Sequence, residues 1–182
     1  MKFNHFFISN FYSPDHCDKI RNSLQYNIST EILDAPAKNV VKTAQVGIVQ
    51  VGKVKDIVAP LVELVKHVNK ENFGFDLYDV SDYDTVNFNE YNANDQGEYG
   101  WHNDFPLHFL YHFKLTVLVN LSEEYYEGGQ FELFSNGPKT IVEFNEPGSI
   151  IIFPSWVSHR VTPVTSGTRK TMALFLTGPK IK

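Results

Sequence analysis

Up to about residue 74 the apolar positions recur with a helical period; beyond it they alternate, or run together in short stretches cut by turn-formers. Ser13 predicts an N-cap, with Pro14 at the first helical position, Asp15 and Asp18 in the first turn, and Cys17, Ile20 and Leu24 along one face. After Gly52, the spacing of Val54, Ile57, Val58, Leu61, Leu64, Val65 and Val68 predicts a second helix that packs one face on a sheet. Pro60 falls inside this run, so a kink or a late start is expected there. Between the helices, Thr43 to Val51 is rich in β-branched residues and predicts a strand, preceded by a loop containing Asp34, Pro36 and Lys38. Phe3 to Ile8 predicts an opening strand or packed N-terminus, because Asn4 and His5 interrupt it too soon for a signal-peptide core or a membrane span.

The second half predicts strands over 85–91, 99–104, 113–121, 130–134, 140–143, 149–153, 158–163 and 170–177. Their separators are the run Asn92 to Gly97, the pair Gly128-Gly129, Asn136-Gly137-Pro138, Pro147-Gly148 and Ser166-Gly167. Short strands at this spacing predict a sandwich or jelly roll rather than a parallel βαβ sheet. The fold class is therefore α+β, mainly β, as one domain over 1–182, with a helical support region over 1–74 and a β core over 75–182.

Composition narrows the function classes. With 42% hydrophobic residues, 15 Phe and 9 Tyr, the chain can bury a core and fold without a partner. A net charge of −5 gives no general field for phosphate backbones or an anionic membrane. Cys17 is the single cysteine, so no internal disulfide and no cysteine-rich zinc cluster can form, and the cytoplasm is the expected compartment.

The chemistry is carried by His102, Asp104 and the distant His159. Two neutral imidazoles and one carboxylate can hold a ferrous ion on one triangular face and leave half of an octahedron open, as oxygen activation requires and a closed structural site does not allow. If 99–104 is extended to its end, His102 and Asp104 project to the same side, because residues two apart share a face. On the last strand Arg169, Thr171, Ala173 and Phe175 share one face, and Met172, Leu174 and Leu176 the other. A guanidinium and a hydroxyl thus look into one cavity.

The stretch from about Tyr91 to Leu176, about half of the chain, resembles the Fe(II)/2-oxoglutarate-dependent oxygenases, and within them the prolyl-4-hydroxylase-like group. The matching pieces are Tyr91, Trp101-His102-Asn103-Asp104, Lys114 to Leu121, Glu127 to Phe131, Pro147-Gly148-Ser149, Phe153-Pro154-Ser155 and His159 to Arg169. The last block is the most specific, since it joins the distal His, a Pro-Val pair, a Gly turn and the cation. The resemblance implies a double-stranded β-helix (a distorted jelly roll) with N-terminal helices packed on the outside. It implies Fe(II) on His102, Asp104 and His159, and 2-oxoglutarate with its far carboxylate on Arg169, whose planar fork suits both oxygens. Tyr91 would donate to the co-substrate, and Thr171 and Asn120 are further cofactor-binding candidates; relatives often carry a tyrosine where Asn120 aligns. Oxygen is the second co-substrate, ascorbate a supporting reductant, and succinate and CO2 the expected by-products of a hydroxylation. The carboxylate of Asp104 favours hydroxylation or oxidative demethylation over halogenation.

The expected partner is a peptide, with peptidyl proline the nearest analogy, or a small molecule handled by a metabolite hydroxylase. A non-catalytic jelly-roll module binding a metal or a sugar is the alternative from another class. Nucleic acid is disfavoured by the acidic balance and the lack of a second arginine shortly after Arg169. A peptide substrate predicts a groove lined partly by 36–46 and 105–112. His5, His16 and His67 are expected at the surface, His108 and His112 in a packed loop beside the pocket, Trp101 and Trp156 in packing contacts, and Ser122 to Tyr126 in a solvated turn.

Overall fold

The computed structural model describes residues 4–28, 30–33, 40–105 and 112–180, with the backbone alone for 30–33. The strands are β1 (Phe6–Ile8), β2 (Thr30–Leu33), β3 (Lys42–Thr43), β4 (Gln45–Gln50), β5 (Thr85–Asn92), β6 (Glu98–His102) and β7 (His112–Asn120). They continue with β8 (Glu127–Gly128), β9 (Phe131–Phe134), β10 (Pro138–Thr140), β11 (Ile150–Pro154), β12 (His159–Val161), β13 (Val164–Ser166) and β14 (Thr168–Gly178). Among the described residues a large sheet runs β1-β11-β7-β14-β5-β4-β2, a smaller one runs β10-β9-β12-β6-β3, and β13 pairs with β8. The pairings between them are antiparallel, and the two sheets stack as a jelly roll.

Both helices cover the outer face of the large sheet. Helix α1 (Pro14–Tyr26) starts where Ser13 accepts a hydrogen bond from the His16 amide, and it buries Cys17, Ile20 and Leu24. Helix α2 (Lys55–Val68) buries Val58, Leu61, Val62, Val65 and Val68. It starts before Pro60 and continues through it, so the late start expected there does not occur. Pro60 and Asp56 are exposed, so water can take the carbonyl that the missing N–H frees, while the apolar face keeps its packing. Against these helices lie Val86, Phe88, Leu115, Val117, Val119, Ile150, Ile152, Met172, Leu174 and Leu176. Each such side chain contributes about 1.5 to 3 kcal/mol by leaving water. No helix among the described residues is long and apolar enough to cross a membrane.

A second, smaller core lies between the sheets, with Val46, Phe131, Leu133, Ile141, Phe144, Ile151, Phe153 and Val161. Three details depart from the sequence pattern. The strand expected over 43–51 divides at buried Ala44: β3 pairs with β6 in the small sheet and β4 with β5 in the large one, so the chain turns a corner between layers. The expected strand over 140–143 is β10 followed by a 3-10 turn over Val142–Asn145, because Ile141 and Phe144, three apart, are the buried pair. The first 74 residues also add strands to both sheets as well as helices.

Candidate active site

Strand β6 ends at His102, and the register sets His102 opposite His159 of β12. Each ring donates Nδ1–H to the backbone carbonyl two residues before it: His102 to Gly100 at 2.8 Å, His159 to Val157 at 3.0 Å. A carbonyl can only accept, so this repeated contact puts the proton on Nδ1 and leaves the Nε2 lone pair facing inward. Asp104 lies past the end of β6, so strand alternation does not place it. Its amide donates to the Ser155 carbonyl at 2.9 Å, and that tether brings the carboxylate back to the imidazoles. The Asp104 oxygens stand 3.6 Å from His102 Nε2 and 3.4 Å from His159 Nε2. All three side chains offer ligand atoms within 4.8 Å of one another.

The surroundings hold this arrangement. Thr116 Oγ1 donates to Asp104 Oδ2 at 2.8 Å and lies 3.0 Å from Ser155 Oγ, so with its one proton on the carboxylate it accepts from Ser155. Tyr99 stacks on His102, rings 3.4 Å apart and 15° from parallel, and Phe153 packs edge-on against His159 at 4.8 Å. Burial depresses the His159 imidazole to about 4, against the pull of Asp104, so near pH 7 the ring is neutral and no proton occupies its Nε2 lone pair. Burial alone would raise the Asp104 carboxyl, but the imidazoles and the Thr116 hydroxyl bring it below the usual carboxylate range.

Arg169 stands on β14 directly opposite Tyr91 of β5. It is 1% exposed, with its guanidinium 5.4 Å from the Tyr91 ring and 5.7 Å from that of Phe144. Its Nε and Nη2 are buried without a hydrogen-bond partner among the described residues. Burying a cation with open donors is costly unless an anion meets it, and ring faces do not supply hydrogen-bond acceptors of that strength. The Gly128-Gly129 pair gives this corner its room: both have positive φ, and a Cβ on Gly129 would come 3.1 Å from Arg169 Cδ. Burial pushes the Tyr91 phenol up to about 12, against the pull of Arg169, so it stays a hydrogen-bond donor.

One cavity of about 120 Å³ joins these groups: Tyr91, His102, Asp104, His159, Arg169 and Thr171 all line it. Asn120, expected as a cofactor contact, does not. Its amide donates to the Phe144 and Asn145 carbonyls at 2.9 Å each, and its oxygen accepts from the Ser122 amide, so the side chain pins the 3-10 turn instead. His112 opens β7 against the Phe105 ring and is not in the wall. His108 lies outside the described residues, as do 36–39 and 106–111 of the expected groove. Trp101 and Trp156 are in packing contacts, under Arg160 and against Phe75 respectively. Of Ser122 to Tyr126, residues 123–125 are solvated as expected, whereas Ser122 and Tyr126 are buried. Sequence reasoning placed Lys42 only within the expected groove segment 36–46, and missed Asn89, Tyr99, Thr116 and Ser155. The one available signal was polar Thr116 inside the apolar run Leu115 to Val119, where a hydroxyl needs a buried partner.

The donor set fits a ferrous ion. Two inward lone pairs and a carboxylate face each other within ligand distance, and the unpartnered guanidinium fits an anionic co-ligand beside the metal. An antiparallel jelly roll enclosing these groups in one cavity defines a class, the metal site built to take a dicarboxylate. The chain belongs to the 2OG-Fe(II) oxygenase superfamily, whose profile matches residues 86–177, half of the chain. A PKHD-type hydroxylase from Synechococcus sp. (strain CC9605) is 39% identical over 72 residues, 39% of this chain and 32% of that protein, so the match spans about a third of the relative. A Pseudomonas putida prolyl-4-hydroxylase superposes with a TM-score of 0.75 at 17% identity, covering 97% of this chain and 94% of that one. A prolyl hydroxylase from Trichoplax adhaerens, solved with a hypoxia inducible factor peptide fragment, gives 0.73 at 18% identity, covering 95% and 83%.

Proposed function

We propose that residues 1–182 act as one Fe(II)- and 2-oxoglutarate-dependent hydroxylase unit, with a peptidyl proline as the substrate class, releasing succinate and CO2. The observation that carries the reading is the pairing, in one cavity, of a three-donor metal set with a buried, unpartnered guanidinium. A sugar-binding or metal-storing module has no use for Arg169 in that state, whereas a keto diacid needs a cation at its far end.

When bound, iron and 2-oxoglutarate would supply the electrons that activate O2, one oxygen atom of which enters a substrate C–H bond while the other enters succinate as CO2 leaves. His102, Asp104 and His159 would hold the metal. Asp104 is kept ionised by its neighbours, and Thr116 fixes which oxygen lone pairs it presents. Arg169 binds and orients the far carboxylate, with Tyr91 and Thr171 as hydrogen-bond donors along the same wall. The apolar packing of Phe131 and Leu118 excludes water from the reacting side. Prolyl hydroxylases among the structural neighbours support a peptidyl substrate. Cys17, a free thiol, and the need of ferrous iron for reducing conditions support a cytoplasmic setting.

The test is succinate release from 2-oxoglutarate in the presence of proline-containing peptides, with mass spectrometry of the peptide. The reading predicts iron-dependent succinate and a peptide heavier by one oxygen atom. Succinate without peptide modification would point to another substrate class; neither product would overturn the reading.

A further inference from the structure

The cavity holds a second cation that the proposed function does not use. Lys42, on edge strand β3 of the small sheet, lines the same wall as the metal-ligand candidates. It lies opposite Tyr99 in the β3/β6 register, with its Nζ 4.6 Å from the Tyr99 ring centroid. That ring in turn stacks on His102, so the ammonium is one aromatic ring away from the metal donors. Unlike Lys55, Lys66 and Lys170, it makes no ion pair among the described residues. A ring face attracts an ammonium but does not neutralise it. Burial also disfavours its charged form, and Asp104 only partly offsets this.

Ferrous iron and Arg169 bring three positive charges; Asp104 and the dicarboxylate bring three negative ones, and the set is neutral. Lys42 is left over, half-buried in the wall of the same cavity, and Arg169 on the other sheet would meet the far carboxylate. A substrate carrying one negative charge near the carbon to be oxidised would complete the balance. We propose that Lys42 is a specificity-determining residue and that the primary substrate presents a carboxylate to it. Asn89, 6% exposed and lining the same cavity, adds a carboxamide that can pair with the amide or carboxylate flanking that group.

This inference rests on the oxygenase reading, and one experiment separates their failures. The protein is loaded anaerobically with Fe(II) and 2-oxoglutarate, and its visible charge-transfer band is recorded. Calorimetry then measures two matched pairs of probes that differ only in charge: N-acetyl-L-proline against its amide, and N-acetyl-Asp-Pro amide against N-acetyl-Asn-Pro amide. We expect the charged member of at least one pair to bind about tenfold tighter or more, with the band retained. Preference in the first pair assigns the carboxylate to a small acid or chain end, and preference in the second to an acidic side chain. Lys42→Met should reduce the preference to within about twofold, and Lys42→Arg should restore part of it. No preference in either pair, or one that survives Lys42→Met, overturns the proposal. So does a loss of 2-oxoglutarate binding in Lys42→Met, which would place Lys42 in the co-substrate site. Absence of the band in the unmodified protein refutes the oxygenase reading itself, and this inference with it.

Discussion

The two faces of the large sheet are built from the same strands and do opposite work. On β14, Met172, Leu174 and Leu176 enter an apolar core under the helices, while Arg169, Thr171, Ala173 and Phe175, one residue out of phase, line the cavity. On β7 the same alternation puts Leu115, Val117 and Val119 toward the helices and Thr116 toward Asp104. The helix face supplies the stability that lets the other face carry an unpaired guanidinium and a depressed imidazole, neither of which favours folding. Residues that differ by one position along a strand should therefore differ in kind when altered: one set changes folding, the other binding.

The sharpest break is Asp104→Ala. Succinate production should fall to background, at least about a hundredfold, because a lost ligand costs more than a lost supporting contact. The metal-free protein should still fold but melt somewhat lower, because Thr116 and the imidazoles lose the carboxylate they stabilise; retained turnover would remove Asp104 from the metal set. Arg169→Met comes next. Binding of 2-oxoglutarate should weaken by about 2 to 5 kcal/mol with iron affinity unchanged, and the metal-free protein should become no less stable, because a buried unpaired charge is gone. Calorimetry and thermal melts check both halves. On the opposite face, Leu174→Ala should cost about 2 to 5 kcal/mol of folding stability in denaturant titrations yet leave 2-oxoglutarate affinity of the folded protein unchanged.

Acid should expose the cost of the polar face. The folded protein holds His159 at about 4, below the ordinary value of 6.5, so between these limits the unfolded chain binds the extra proton. Stability of the metal-free protein should then be complete above about pH 6.5 and fall as the pH drops to about 4, by on the order of 3 kcal/mol. Asp104, lowered in the folded state, adds its own loss only below the usual carboxylate range. His159→Gln should flatten the first of these steps in a pH series of melts. The smallest effect is expected for Thr116→Val, which keeps the shape but removes the donor to Asp104. Iron affinity should fall about 10- to 100-fold with little change in melting temperature.

The alternation of β14 and the helical spacing of α1 and α2 were legible because each element has one face on apolar neighbours, and a one-residue slip would invert it. The His-X-Asp and distant His were legible as donor types. How Asp104 returns to the imidazoles was not, since a backbone tether to Ser155 replaces strand alternation. The sheet change at Ala44 leaves no period to read, and Ile141 and Phe144 at three-residue spacing end a strand that β-branched composition favoured. Asn120 was a candidate only through the resemblance, which aligns it with a co-substrate contact; its amide is used up by the turn behind it. Lys42 fell inside the groove segment expected over 36–46 but was not singled out, because its place depends on a register with Tyr99 that composition does not encode.

Whether one cavity takes a ferrous ion and a keto diacid together is decided by an anaerobic titration of the metal-free protein with Fe(II) and then 2-oxoglutarate. A visible metal-to-ligand charge-transfer band should appear only when both are present and saturate at one of each per chain. Iron binding without that band would remove 2-oxoglutarate from the site, and no iron binding at all would contradict the account.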